Sequence, residues 1–151
     1  MYPFRGIFEH SLDAKHRLTV PAKYRAALAG RLVLAFSPET RAGTARSIAI
    51  WPIEAFDRYT EAVLTNRDPI NADARELQRI LFNNSIEAEL DSANRVMIPP
   101  AMLRYAGLDK EVVVAGSQEF LEVWDRDTHA AYNEDVLSRF TEIAANVGNT
   151  G

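Results

Sequence analysis

Short runs with β character open the chain, Ile7 to Leu12 and Leu18 to Val20, separated by Asp13-Ala14-Lys15-His16-Arg17. An aspartate can accept hydrogen bonds from the backbone just after it, so this spacing predicts a hairpin with an Asp-initiated turn. Thr19 between Leu18 and Val20 leaves one apolar and one polar face. Pro21 ends the run and can open a helix, because a first turn does not need its missing N–H. Ala22 to Ala29 then reads as a short helix stopped by Gly30. Arg31 to Phe36 and Ser47 to Trp51 read as two more strands. Pro52 to Thr65 reads as a helix with Ile53, Phe56, Tyr59 or Thr60, and Val63 on one face.

The same order returns. Glu87 to Leu90 and Val96 to Ile98 read as strands, Pro100 to Ala106 as a short helix closed by Gly107, and Glu111 to Ala115 and Phe120 to Trp124 as strands. A longer helix follows over Asp127 to Ala145, capped by Asp127, and Asn146 to Gly151 reads as a frayed tail. Between the copies, Asp73-Ala-Arg-Glu76 fits a capping box that opens a helix running to about Phe82. The residues themselves repeat. Leu12-Asp13, Arg17 and Val20-Pro21 recur 78 positions later as Leu90-Asp91, Arg95 and Ile98-Pro99. Ile50-Trp51, Tyr59 and Val63-Leu64 recur 73 positions later as Val123-Trp124, Tyr132 and Val136-Leu137. The changed offset puts a longer loop in the first copy, at Ser37 to Ser47.

A hairpin of two short strands cannot bury its own apolar face, but two related hairpins can bury each other's. The expected fold is therefore mixed α+β, an intrachain pseudo-dimer sharing one β core. The expected organisation is a first module over 8–64, a helical connector over 65–85, a second module over 86–137, and a helix end and tail over 138–151.

Composition narrows the chemistry. The 151 residues include no cysteine, so disulfides, thiolate metal sites and cysteine nucleophiles are excluded. No charged start followed by an apolar stretch suggests a signal peptide, and no run is long enough to cross a bilayer. A soluble, cytoplasmic protein is expected. Net charge is −4, yet residues 1–31 hold six basic and two acidic residues, while the other 120 hold 11 basic and 19 acidic. A basic N-terminal segment on an acidic body suits a local polyanion contact, although short segments also vary in charge by chance.

These residues resemble one family, the MraZ proteins, which contain two SpoVT/AbrB-like modules. The likeness rests on Phe4-Arg5-Gly6, Leu12-Asp13-x-Lys15-x-Arg17-Leu18 and Pro21-Ala-Lys-Tyr-Arg25. It continues through Leu90-Asp91-x-x-x-Arg95, Ile98-Pro99, Ala106-Gly107-Leu108 and Glu122-Val123-Trp124, covering residues 4–137. The resemblance implies interlocked, swapped hairpins and assembly into ring-like homo-oligomers. It also implies binding of direct repeats in the promoter of the division and cell-wall gene cluster, and hence a nucleoid-associated regulator. One departure stands out. The family has Gly before each motif Arg, where this chain has His16 and Asn94; Asn tolerates positive φ, and His less well.

Arg17 is the first candidate for base contact, because its planar fork matches guanine O6 and N7 in a major groove that admits a two-stranded ribbon. The structural alternative is that Arg17 pairs with Asp13 and fixes the turn, and the two roles are compatible. Lys15 and His16 at the tip are further DNA candidates, as are Arg5, Lys23 and Arg25 for phosphates. For Lys23 and Arg25 a solvated helix face is the alternative. Asp13 and Asp91 read as turn residues, and Arg95 reads as structural because residues 86–106 have net charge −1 against +2 for 8–28. One copy then binds and the other scaffolds. Trp51 and Trp124 read as core anchors. The helix faces with Tyr59, Val63, Tyr132 and Val136 read as core or subunit interface.

Two other functional classes fit less well. Asp91-Ser92-Ala93 resembles an aspartic-protease triplet, but its counterpart is Asp13-Ala14-Lys15, so no internal carboxylate dyad forms. A protein-interaction scaffold of the same fold would not require a basic first hairpin. No phosphate loop, His-Glu-x-x-His or nucleophile elbow occurs, and His10, His16 and His129 lack ligand spacing. The sequence therefore points away from an enzyme, a metal, a cofactor, a membrane and a small-molecule substrate.

Overall fold

A computed structural model describes residues 4–37, 45–65 and 70–148. The fold is mixed α and β, with an antiparallel six-stranded sheet, a separate two-stranded ribbon and five α-helices among the described residues. The first half supplies β1 (Ile7–Ser11), β2 (Arg17–Thr19), a 3-10 turn (Ala22–Tyr24), β3 (Leu32–Phe36), β4 (Ile48–Pro52), α1 (Ile53–Leu64) and α2 (Ala72–Asn83). The second half supplies β5 (Ser85–Ala88), β6 (Arg95–Met97), α3 (Pro100–Ala106), β7 (Glu111–Gly116), β8 (Leu121–Asp125), α4 (Arg126–Ser138) and α5 (Phe140–Gly148). Thus the connector helix α2 has a counterpart in α5, and the repeated order extends past the matching residues.

The sheet runs β1-β7-β8-β4-β3-β5. Only β3–β4 and β7–β8 pair within a half. β1 pairs with β7, β5 with β3, β4 with β8, and β2 with β6, all between halves. The expected hairpin is thereby corrected. Its Asp-initiated turn is present, but β1 and β2 leave that turn in different directions and each finds its partner in the other half. Alternation fixes which side chains face the core; it does not fix which strand lies alongside.

Alternation along the strands divides two packed layers. Leu32, Leu34, Ile48, Ile50, Val112, Val114, Leu121 and Val123 face a core closed by Leu18, Val20, Val96 and Ile98 of the ribbon, with Tyr24, Leu28 and Met102. On the opposite face Val33, Ala35, Ala49 and Trp51 meet Ala55 and Phe56 of α1. Val113 and Trp124 lie on that face too, with Tyr132 of α4 packed against them. Central strands covered on both sides read as continuous apolar runs, as β3 and β4 do.

Trp51 and Trp124 are core anchors, as expected, each 4% exposed. Each stacks on a tyrosine one helix onward: Trp51 on Tyr59 at 4.9 Å and Trp124 on Tyr132 at 5.0 Å between ring centroids. The two stacks reproduce the 73-residue offset in three dimensions.

Local boundaries shift for identifiable reasons. Ala22 to Ala29 is a single 3-10 turn followed by further turns, and not a helix; Arg25 N–H donates to Ala22 O and Leu28 N–H to Arg25 O. α3 runs as expected, because Pro100 suits its first turn and Gly107 takes φ 62° beyond its end. The cap of α4 is Asp125, which accepts from Thr128 N–H, and not Asp127. The long C-terminal helix breaks after Ser138, and of the tail expected over Asn146 to Gly151 the first three residues close α5 while the rest lies outside the described residues. Asn71, and not Asp73, caps α2 by accepting from Ala74 N–H. The longer loop expected at Ser37 to Ser47 falls largely outside the described residues, but Ser37 N–H donates to Ser47 O across its base.

Candidate nucleic-acid interface

The two Asp-x-x-x-Arg segments fold into one and the same turn. Asp13 Oδ1 accepts from the N–H groups of Lys15 and Arg17, each at 2.9 Å, and Oδ2 accepts from Arg17 Nε at 2.7 Å. Asp91 Oδ1 accepts from the N–H groups of Ala93 and Arg95, each at 2.9 Å, and Oδ2 accepts from Arg95 Nε at 2.9 Å. The Arg17 and Arg95 N–H groups contribute most to holding the two carboxyls below the usual carboxylate range, against an opposing effect of burial. His16 N–H closes the first loop on Asp13 O, and Asn94 N–H closes the second on Asp91 O. Closing it in this way puts the residue before each arginine at positive φ, 59° for His16 and 61° for Asn94. His16 therefore keeps the turn geometry that Asn94 has.

The ribbon sets the two turns side by side. Arg17 lies opposite Met97, Leu18 opposite Val96, and Thr19 opposite Arg95. Leu18 and Val96 point into the core. By the period of two, Arg17, Thr19, Arg95 and Met97 share the outward face, where Met97 is 61% exposed. The turn carbonyls extend the ladder, since Ile98 N–H donates to His16 O and Val20 N–H to Asn94 O. Arg95 Nη1 reaches to 4.0 Å from Asp13 Oδ2, so one aspartate lies between two guanidinium groups. Each arginine is oriented through Nε by its own aspartate, which fixes the plane of its fork.

The other sequence candidates fall elsewhere. Lys15 and His16 are exposed at the first tip. Arg5 precedes β1, at the end away from that tip, and the strand itself spans roughly 13 Å. The Tyr24 hydroxyl donates to Arg5 O, and Lys23 Nζ stands 5.3 Å from the ring centroids of both Phe8 and Tyr24. Arg5 and Lys23 thus form a second basic group, separate from the tip. Arg25 is half-buried and its Nε donates to Val20 O at 3.0 Å, where it ties down the end of β2. Among the described residues no three His, Asp or Glu side chains converge where an ion could sit.

Two features escaped the sequence reading. Arg95 stands on the same outward face as Arg17, which follows from the β2–β6 pairing and not from charge counts. Lys110, just before β7, lies beside the first turn, its carbonyl accepting from Leu12 N–H at 2.8 Å. The repeat gives no signal for it: in the register of the paired strands Val112 matches Leu32, so Lys110 takes the place of Gly30.

Family comparison agrees with this duplicated arrangement. A family model described as "MraZ protein, putative antitoxin-like" matches twice, over residues 4–80 and 81–148. Proteins named transcriptional regulator MraZ align over nearly the full chain. The one from Symbiobacterium thermophilum is 32% identical, covering 95% of this chain and 99% of its own. That from Thioalkalivibrio sulfidiphilus is 36% identical over 93% and 92% of the two chains, and that from Corynebacterium glutamicum 39% over 91% and 92%. The chain belongs to the MraZ family.

Proposed function

We propose that this chain is a cytoplasmic, nucleoid-associated transcriptional regulator that binds tandem repeats in promoter DNA as a ring-like homo-oligomer. In this reading the two modules form a swapped-hairpin pseudo-dimer. The first module, 8–64, carries the main DNA contact, and the second, 86–137, mainly scaffolds it. The observation that carries the reading is the ribbon β2–β6, whose outward face presents aspartate-oriented arginines beside the exposed tip residues Lys15 and His16. A two-stranded ribbon fits the major groove, and Arg17 is the base-reading residue. Lys15 and His16 contact the backbone near it, Arg5 and Lys23 supply phosphate contacts farther along, and Arg25 supports the ribbon from behind.

A single tip makes few contacts, so affinity has to come from several tips engaging repeated sites at once. Exposed apolar residues suit assembly with further copies: Leu77, Ile80 and Phe82 on α2, and Phe140 and Val147 on α5. The test is a gel shift on duplex DNA from upstream of the protein's own gene, with one or two repeats and graded salt. Wild type is expected to bind the double site cooperatively and to weaken steeply with salt. Arg17→Ala should lose about 1–3 kcal/mol of sequence discrimination, and Arg17→Lys should lose less, because an ammonium can still reach guanine O6 and N7 without the planar fork. Arg17→Lys keeps a cation beside Asp13, which separates base reading from collapse of the turn. Unchanged affinity in both variants, with oligomeric state intact, would remove Arg17 from the interface.

A further inference from the structure

Beside the first turn lies a hollow of about 400 Å³, lined by Leu12, Asp13, Ala14 and His16 of the first half and Asp109 and Lys110 of the second. We propose that this hollow seats a phosphate of the DNA backbone, held by Lys110 from one side and by the protonated form of His16 from the other. The inference rests on the DNA-binding reading above and makes the second half of the chain a direct contributor to the same contact.

Construction of the hollow favours this. Leu12 N–H donates to Lys110 O at 2.8 Å, which fixes the two walls relative to each other. His16 is held by backbone hydrogen bonds on both sides, through its N–H to Asp13 O and its carbonyl to Ile98 N–H. Its exposed side chain is therefore projected from a fixed point. The Asp13 carboxylate does not oppose an anion as a bare charge would, because both its oxygens already accept from Lys15 and Arg17. Lys15 and Arg17 add positive charge from the same turn, and Arg95 from β6. Asp109 is the opposing charge on the rim, and Glu111 beyond it is paired with Arg126 at 2.8 Å.

Of the three histidines, His16 is the one exposed at the tip. His129 is buried in α4, where desolvation pushes its pKa down, and His10 is half-buried in β1. The equivalent of His16 in the second copy is Asn94, which has the same backbone conformation and no charge to gain. A histidine contact at the first turn therefore has no counterpart at the second. A phosphate beside an imidazole favours its protonated form, so the affinity this contact adds is greatest at acid pH and falls as pH rises.

Fluorescence anisotropy with the upstream duplex, at constant ionic strength between about pH 5.5 and 8.5, tests this on the full chain. Wild type is expected to bind several-fold tighter at the acid end than at the alkaline end. His16→Asn, which preserves the conformation of Asn94, should lose that dependence. Lys110→Ala should weaken matched and scrambled duplexes by the same factor and reduce the salt slope by about one. NMR titration of the His16 imidazole should show its pKa raised by the duplex and not by inorganic phosphate. An equal rise with inorganic phosphate would make the hollow a free-anion site and overturn the proposal. So would full pH dependence in His16→Asn, or an unaltered salt slope in Lys110→Ala, while wild type binds. Failure of wild type to bind any duplex would overturn the DNA-binding reading itself.

Discussion

Leu18→Ala tests whether the ribbon is truly seated on the core. Leu18 is 0% exposed and lies opposite Val96 on the inner face of the ribbon. The substitution removes three carbons, about 2.5 kcal/mol at ~0.8 kcal/mol per buried methylene. The cavity left behind adds to this, because the covering strands are held by only three residue pairs and the sheet beneath is fixed by its own ladder. The total should fall at about 3–5 kcal/mol. That is a large part of the ~5–15 kcal/mol that stabilises a typical domain. Urea unfolding followed by circular dichroism, at one protein concentration, gives the value from the midpoint with an unchanged slope. Met97→Ala is the control on the same ribbon; its side chain is 61% exposed, so its cost should stay within about 0.5 kcal/mol. A loss below about 1 kcal/mol for Leu18→Ala, or equal losses for both, would mean the ribbon does not pack as described.

Other perturbations have equally definite outcomes. Gly116→Ala would place a Cβ 2.3 Å from Arg5 N and 2.5 Å from Phe4 C, both backbone atoms, so thermal unfolding should show a loss of about 1–3 kcal/mol or more. Arg25→Ala should cost about 1–2 kcal/mol in urea unfolding through the lost bond to Val20 O, while DNA affinity corrected for unfolded protein stays close to wild type. Burial pushes the Glu122 carboxyl up from its ordinary value, despite hydrogen bonds such as that from Ser47 Oγ at 3.2 Å. The folded state then holds that proton more tightly than the unfolded chain, so this group's contribution falls as pH rises from the unfolded value through the folded one. Glu122→Gln should accordingly raise stability at neutral pH and flatten its pH profile, as measured by midpoints across that range.

The repeat, the strands and the tryptophan anchors were legible because each leaves a periodic trace. Alternation exposed Leu18 and Val20 as an inner face, and the offsets of 78 and 73 survive as matching turns and matching Trp–Tyr stacks. Partner choice left no such trace. β1 was read with β2 because a turn joins them, whereas its ladder is with β7. Caps were misread where two acceptors compete: Asp125 and Asp127, or Asn71 and Asp73, both suit a helix start, and packing of the preceding strand or loop decides. The break at Arg139 carries no Gly or Pro; its guanidinium instead pairs back to Asp135 at 2.9 Å. At the candidate interface, Lys15, His16 and Arg17 could be read together because they adjoin in sequence. Arg25 stands with them by charge, and its bond to the Val20 carbonyl five residues away is what the fold adds. Lys110 was invisible until β7 was laid against β1.

The exchange of strands between halves also governs how the chain emerges from a ribosome. Ile7 finds its ladder partner at Ala115, and Leu18 finds its own at Val96. At ~5–20 residues per second, the opening strand must wait roughly 5–20 s for translation to deliver the residues it will lie against. Throughout that interval the nascent first half offers Leu18, Val20, Leu32 and Leu34 without the cover that the second half provides. Chaperones that hold apolar nascent segments should engage it before residue 116 has left the exit tunnel and release it soon after.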